Sequence, residues 1–271
     1  PDIIICTHSF PAAIISRLRQ KKRIECPLVT VVTDFNIHSS YINDNTDYYV
    51  IAHEYLTYIM ESFGVPKEKV LPFGIPIRKE FSESYNREEL LAKLGYEGKK
   101  TILVMGGGLG LGGINNIVKA IDSYMEDIQI IAVAGRNNRL ESKLKNLSTK
   151  NKLVVYGFVN NMHEIMELSD CIISKPGGVS VSEILSREKP LVIFSPLPGQ
   201  EHENVEFLLN SGAVVTTSDA RRIPALINQI FDSEIRMKCF KELTGLLKKP
   251  YSAYNIVHYL TVKYGLDSKT Y

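Results

Sequence analysis

A chain of 271 residues is long enough for one large or two ordinary domains with real cores. Its 44% apolar and 23% charged residues are those of a water-soluble globular protein, and a formal net charge of +2 gives no electrostatic footprint for nucleic acid. The four cysteines (Cys6, Cys26, Cys171, Cys239) form no C-x-x-C pair, which disfavours a zinc site or a disulfide framework and suits a reducing cytoplasm.

No apolar run in these residues approaches the roughly 18 to 20 a membrane span needs, and no signal peptide is expected. The first segment, PDIIIC, reads as a buried strand already under way at Pro1, so the expected arrangement is a domain whose earlier part lies outside the sequence. PLVTVVTDF, DYYVIAH and VLPFGIPI continue as strands, with helices expected near Phe10–Gln20 and His53–Phe63. That is about half a sheet, closing in the polar stretch Phe81–Arg87. From Lys100 the pattern becomes regular. TILVMG, IQIIAVAG, KLVVYG, DCIISKP, PLVIFS and AVVTTS alternate with amphipathic stretches such as INNIVKAIDSYM and NVEFLLNSG. Continuous Val/Ile/Leu runs between helices predict a parallel sheet covered on both faces, a doubly wound α/β domain. Helices follow from Ser233, with a break at Lys249-Pro250. The expected division is a partial domain over residues 1–85, a complete one over 86–250 and a helical segment over 251–271.

Three loops at the strand ends carry chemistry. MGGGLGLGGINN, Met105–Asn116, holds six glycines in eight residues between a strand and a helix, more than packing requires. Glycines let backbone amides approach an anion, and the helix N-terminus adds its positive dipole end. Gly108, Gly110 and Gly113 satisfy G-x-G-x-x-G, but the second strand ends Ala134-Gly135-Arg136 with no acid for a ribose, so NAD is not expected and only Arg136 leaves room for NADP. The second loop, Lys175-Pro176-Gly177-Gly178, is nearly stripped of side chains and followed by Ser180-x-x-Glu183. That spacing fits a capping box, and equally a carboxylate that accepts both hydroxyls of a ribose. The third, SPLPGQEHENVEFLL, places Gln200, Glu201 and Asn204 at i, i+1 and i+4 as a helix opens; acids there commonly complement the helix dipole. Three polar loops at one sheet edge would converge on one pocket.

KPGGVSVSE, PGQE-x-x-N and the triple-glycine loop together resemble the donor domain of inverting GT-B glycosyltransferases. The nearest resemblance is to processive diacylglycerol glucosyltransferases and monogalactosyldiacylglycerol synthases, and a more distant one to the peptidoglycan N-acetylglucosaminyltransferase that makes lipid II. Thr33-Asp34-Phe35 with His38, and GIPIR at Gly74–Arg78, carry the resemblance into the first half. It implies two Rossmann-like domains, with a UDP-sugar in the second and a lipid acceptor at the first. Glu183 would hold the ribose, and Gly178, Val179 and Ser180 beside Gly177 would receive the diphosphate. The Gly106–Gly113 loop, with Gly107 and Gly108, would close over it. Phe158 and Val159 would grip uracil through the backbone, Gln200 and Glu201 would meet the sugar, and Asn204 would belong to the same donor site.

The implied reaction moves glucose or galactose from UDP to diacylglycerol or a glycosyldiacylglycerol with inversion. It would need neither cofactor nor metal, and the chain has no D-x-D motif. The implied setting is peripheral, on the cytoplasmic face of the inner membrane. The family's glycine-rich, histidine-bearing N-terminal loop has no counterpart here, so the catalytic base is expected outside the sequence and the 271 residues are expected to bind the donor without transferring it. Asp34 and His38 are the candidates within the chain; a surface loop is the commoner setting for such a histidine. Arg17, Arg19, Lys21, Lys22 and Arg23 form a basic cluster that suits either a solvated face or an anionic membrane. A UDP-N-acetylglucosamine 2-epimerase and a non-catalytic UDP-sugar sensor remain as alternatives.

Overall fold

The computed structural model describes residues 1–110, 113–194 and 199–266, with Gln200 described by its backbone alone. They form two compact units, one of Pro1–Lys79 with the segment from Lys249 onward, the other Glu80–Lys248.

The first unit opens with β1 (Ile4–Cys6), α1 (Ser9–Gln20), β2 (Leu28–Val31), β3 (Tyr48–Val50), α2 (Thr57–Ser62) and β4 (Val70–Leu71). Its sheet is parallel in the order β1-β2-β3-β4. The strand expected over VLPFGIPI shrinks to two residues, because Pro72 has no N–H for the ladder and Gly74 turns the chain at φ +96°. The helix expected over His53–Phe63 divides into a 3₁₀ turn, Glu54–Leu56, and α2.

The second unit runs α3 (Arg87–Leu94), β5 (Lys100–Met105), α4 (Ile114–Tyr124), β6 (Ile128–Val133), α5 (Asn138–Lys145), β7 (Lys152–Tyr156), α6 (Met162–Leu168), β8 (Cys171–Ser174), α7 (Gly178–Ser186), β9 (Leu191–Phe194), α8 (Gln200–Asn210), β10 (Val214–Thr217), α9 (Ile223–Phe231) and α10 (Glu234–Leu247). The sheet is parallel throughout, ordered β10-β9-β8-β5-β6-β7. Ile102, Val104, Ile130, Ala132, Ile173 and Val192 on one sheet face pack against Ile117 and Ile121 of α4 and Ile227 and Ile230 of α9, all buried. The chain direction across the sheet reverses between β5 and β8. Loops leaving those two strands diverge to opposite sides, which opens a crevice at their carboxyl ends.

After α10 the chain returns to the first unit as α11 (Ser252–Tyr264). Ile256 and Leu260 pack on Val29, Val31, Val50 and Leu71. Ser252 Oγ donates to the Gly74 carbonyl at 2.5 Å. A Cβ on Gly74 would lie 2.3 Å from Lys249 Cβ, so glycine is required there for both φ and space. Among the described residues no helix is long and apolar enough to cross a membrane.

Candidate functional site

The glycines of the first loop divide into two kinds. Gly110 (φ +59°) lies so close to the β6 turn that a Cβ would stand 2.1 Å from the Ala134 carbonyl oxygen. A Cβ on Gly135 would stand 2.7 Å from the carbonyl oxygens of both Gly107 and Gly108. Arg136 N–H donates to Gly108 O at 2.9 Å and closes this packing. These two glycines are needed by the fold. Gly108 and Gly177 are different: a Cβ at either meets nothing within 4 Å, and Gly177 holds an ordinary φ of −68°. Gly107 is equally open but sits at φ +65°. Among the described residues neither sterics nor backbone geometry requires glycine at 108 or 177, which suits the approach of something else.

The helix starts point the same way. α4, α7 and α8 have Gly113, Gly177 and Gly199 at the N-cap, residues that bring no side-chain acceptor to the first turn. In the same unit α3, α5 and α10 are capped by Asn86, Asn137 and Ser233, while α6 and α9 start without a cap from Asn161 and Arg222. A capping oxygen satisfies the amides that an anion would otherwise use. The three glycine N-caps supply no such oxygen, which suits an anion at these helix starts.

The start of α7 also decides between the two readings of Glu183. A capping box would need Ser180 at the N-cap, but the N-cap is Gly177 and Ser180 is the third helical residue. The box is therefore not formed. Glu183 lies one turn further along and lines a cleft with Ser180, Gly107, Gly108, Phe158 and Val159, floored by Met105, Val133, Gly135 and Met162. At about 130 Å³ the cleft is below the ~300–1,000 Å³ of small-molecule sites. It has the size for one ring system rather than a whole nucleotide sugar. Phe158 is 58% exposed, with the Arg136 guanidinium 5.2 Å from its ring centroid.

Of the remaining donor residues, Gly178 is buried under the α7 turn and Val179 is 43% exposed beside it. Glu201 pairs with Lys175, Nζ to Oε2 at 3.7 Å, with both side chains largely covered. Asn204 reaches the bare turn from within the fold. It is 1% exposed, and its Nδ2 donates to the Pro176 carbonyl at 3.0 Å. It ties α8 to the bare turn from behind and positions that loop. The Gln200 side chain and residues 195–198 lie outside the described residues. Lys175, Arg136 and Met162 were not expected as site residues; the cation preceding P-G-G was the available signal for Lys175.

In the first unit, His38 is exposed, and its Nδ1 accepts from Ser40 N–H at 3.2 Å, capping the Ser39–Tyr41 turn. His8 and His53 make the same cap, accepting from Phe10 and Tyr55 N–H. Burial, and then the Asp34 carboxylate, hold the Tyr41 phenol above its ordinary pKa, so Asp34 and Tyr41 form one polar cluster. Burial pushes the Cys171 thiol up to about 12, which removes it as a nucleophile. The described residues contain no group of three His, Cys, Asp or Glu arranged to hold a metal ion.

Two Rossmann-like parallel sheets, with uncapped helix starts at the switch point of the second, define a GT-B fold. The family model for the glycosyltransferase family 28 C-terminal domain matches residues 101–240, more than half of the sequence, and the chain belongs to that family. Residues 1–77 match the monogalactosyldiacylglycerol (MGDG) synthase model. A processive diacylglycerol beta-glucosyltransferase of Bacillus cereus (strain AH187) is 32% identical over 262 residues, 95% of this chain and 66% of its own length. The chain thus spans just under two thirds of that relative. In fold it is similar to Anabaena HepE solved with UDP, at TM-score 0.64 and 13% identity over 96% of this chain and 79% of that one. It is also similar to a putative UDP-N-acetylglucosamine 2-epimerase of Listeria monocytogenes, at TM-score 0.70 and 13% identity over 98% and 75%.

Proposed function

We propose that the second unit binds a UDP-hexose and that the protein transfers the hexose, with inversion, to diacylglycerol or a glycosyldiacylglycerol at the membrane surface. The observation that carries the reading is the bare turn: at Gly177, the N-cap of α7, a Cβ would meet nothing within 4 Å among the described residues. Support for the acceptor class comes from the match of residues 1–77 to the MGDG synthase model and from the 32% identical relative.

In this reading the amides of Gly178, Val179 and Ser180 receive the diphosphate. Glu183 accepts the ribose hydroxyls, the backbone of Phe158 and Val159 holds the uracil edge, and Gln200 and Glu201 meet the sugar. The acceptor oxygen attacks the anomeric carbon, a general base takes its proton, and the bond from that carbon to the diphosphate oxygen breaks. Charge developing on the departing UDP is met by preorganised helix amides, a role they fill without a metal ion. Asp34, paired with Tyr41, and His38 are the candidate groups on the acceptor side. Phe10 and Ile14 of α1, 69% and 46% exposed one turn apart, lie on a helix whose last turn carries Arg17 and Arg19 and which is followed by Lys21, Lys22 and Arg23. That pairing suits a peripheral contact with the anionic cytoplasmic leaflet.

Titration of UDP into the chain and its Glu183→Ala variant tests the donor site. Equal affinities would leave Glu183 without the role given to it. UDP release in the absence of any lipid acceptor would favour the epimerase alternative instead.

A further inference from the structure

Helix α7 carries the bare turn at one end. At the other it ends in two residues that hold the segments by which the chain enters and leaves the second unit, Glu80 and Lys248. Arg187, the C-cap of α7, has a side chain only 5% exposed. Its Nη1 donates to the Glu83 carbonyl at 2.5 Å and its Nη2 to the Glu80 carbonyl. The guanidinium lies 4.8 Å from the Tyr85 ring centroid, and Nη1 is 3.3 Å from Glu167 Oε2. The entry segment is thus stapled to α7 at three points. The next residue, Glu188, accepts from Lys248 Nζ at 2.5 Å, with Lys241 Nζ 4.0 Å from its other oxygen. Glu188 ends α7 at φ +51°, the left-handed position that commonly closes a helix, as Lys22 does after α1.

Burying a guanidinium is costly, and here both Nη groups are engaged while Nε has no hydrogen-bond partner among the described residues. A fork is suited to grasping two carbonyls at once. Either link alone would be ordinary packing. Two consecutive residues that fix both crossings form an anchor. A nine-residue helix is a rod about 13 Å long, and a shift in its first turn therefore moves its last residues with it.

We infer that Arg187 and Glu188 are positioning residues through which a nucleoside diphosphate at the first turn of α7 reaches both crossing segments. The inference rests on the donor site proposed above. The test is amide hydrogen exchange read by mass spectrometry on the chain with and without saturating UDP, for wild type, Arg187→Met, Arg187→Lys and Lys248→Met. In wild type, UDP should slow exchange several-fold at residues 177–183 and also at 80–85 and 246–249. Arg187→Met should keep the first effect, with UDP affinity within about twofold, and lose the second at 80–85. Arg187→Lys, which reaches one carbonyl but not two, should keep part of it.

Lys248→Met should lose the effect at 246–249 alone. Its side chain is 36% exposed, so it reads out the inference even where Arg187→Met does not fold. A merely structural role would raise exchange with and without UDP alike and leave the UDP-dependent difference intact. Protection at 177–183 with none at the crossings in wild type, or equal distal protection in the variants, would overturn this inference alone. No protection at 177–183 would overturn it together with the donor site.

Discussion

Two alanine substitutions separate glycines the fold needs from glycines a ligand needs. At Gly177 a Cβ meets nothing within 4 Å and φ is −68°. The lost freedom of the unfolded chain stabilises by about 0.4–1 kcal/mol. Exchanging glycine for alanine at an N-cap costs roughly the same. Gly177→Ala should therefore leave stability within ~0.5 kcal/mol of wild type. At Gly110 the Cβ would stand 2.1 Å from Ala134 O at φ +59°. Left-handed strain of about 1–2 kcal/mol and overpacking of about 1–3 kcal/mol add to roughly 2–5 kcal/mol of destabilisation. For UDP the order reverses. The new methyl of Gly177→Ala stands where the diphosphate would approach the first turn of α7, and affinity should fall at least tenfold, about 1.4 kcal/mol. Denaturant unfolding reads the first quantity and calorimetric titration of UDP the second. A Gly177→Ala protein that binds UDP as wild type does would show that the turn is bare for some reason other than the donor.

Glu183→Ala should weaken UDP binding by about 1.5–3 kcal/mol, the scale of hydrogen bonds to a charged group. Calorimetric affinity for UDP at matched protein concentration reads this directly, and an unchanged affinity would remove Glu183 from the donor site. UDP should bind equally in excess EDTA, since helix amides supply the electrostatics; a magnesium or manganese requirement in the same titration would contradict this. The Lys93 ammonium, 2.5 Å from Glu164 Oε1, holds that carboxyl below its ordinary pKa. A depressed carboxyl contributes stability above its unfolded pKa and loses it as pH falls. Lys93→Met should then cost up to ~1 kcal/mol at pH 7, Lys93 being largely exposed, and the gap to wild type should close below about pH 4 in thermal melts. Replacing Phe10 and Ile14 by serine should reduce co-sedimentation with phosphatidylglycerol vesicles while leaving UDP affinity unchanged.

The sheets were legible because parallel strands buried on both faces read as unbroken Val/Ile runs, and all six runs of the second unit are strands of one sheet. The glycine loop was legible only as a group. Nothing in GGGLGLGG separates Gly110, pressed on Ala134, from Gly108 in open space, because the neighbour that decides lies two dozen residues away. Ser180-x-x-Glu183 left two readings open for a related reason. The box spacing is present, but the helix begins at Gly178, two residues earlier, so the serine is spent inside the first turn. The bond from Asn204 to the Pro176 carbonyl was not legible because it spans 28 positions. The return of α11 to the first unit depends on Ser252 meeting Gly74, 178 positions away, which no local pattern encodes.

The most direct measurement is sugar transfer by the full-length protein. Radiolabelled UDP-glucose and UDP-galactose are each supplied with diacylglycerol vesicles, and lipids and free UDP are quantified together, for wild type and Glu183→Ala. The expected result is label in a glycosyldiacylglycerol from one of the two donors, UDP released in equal amount, an inverted anomeric centre, and a rate at least tenfold lower for the variant at subsaturating donor. UDP released with no labelled lipid, or wild-type transfer by Glu183→Ala, would contradict it.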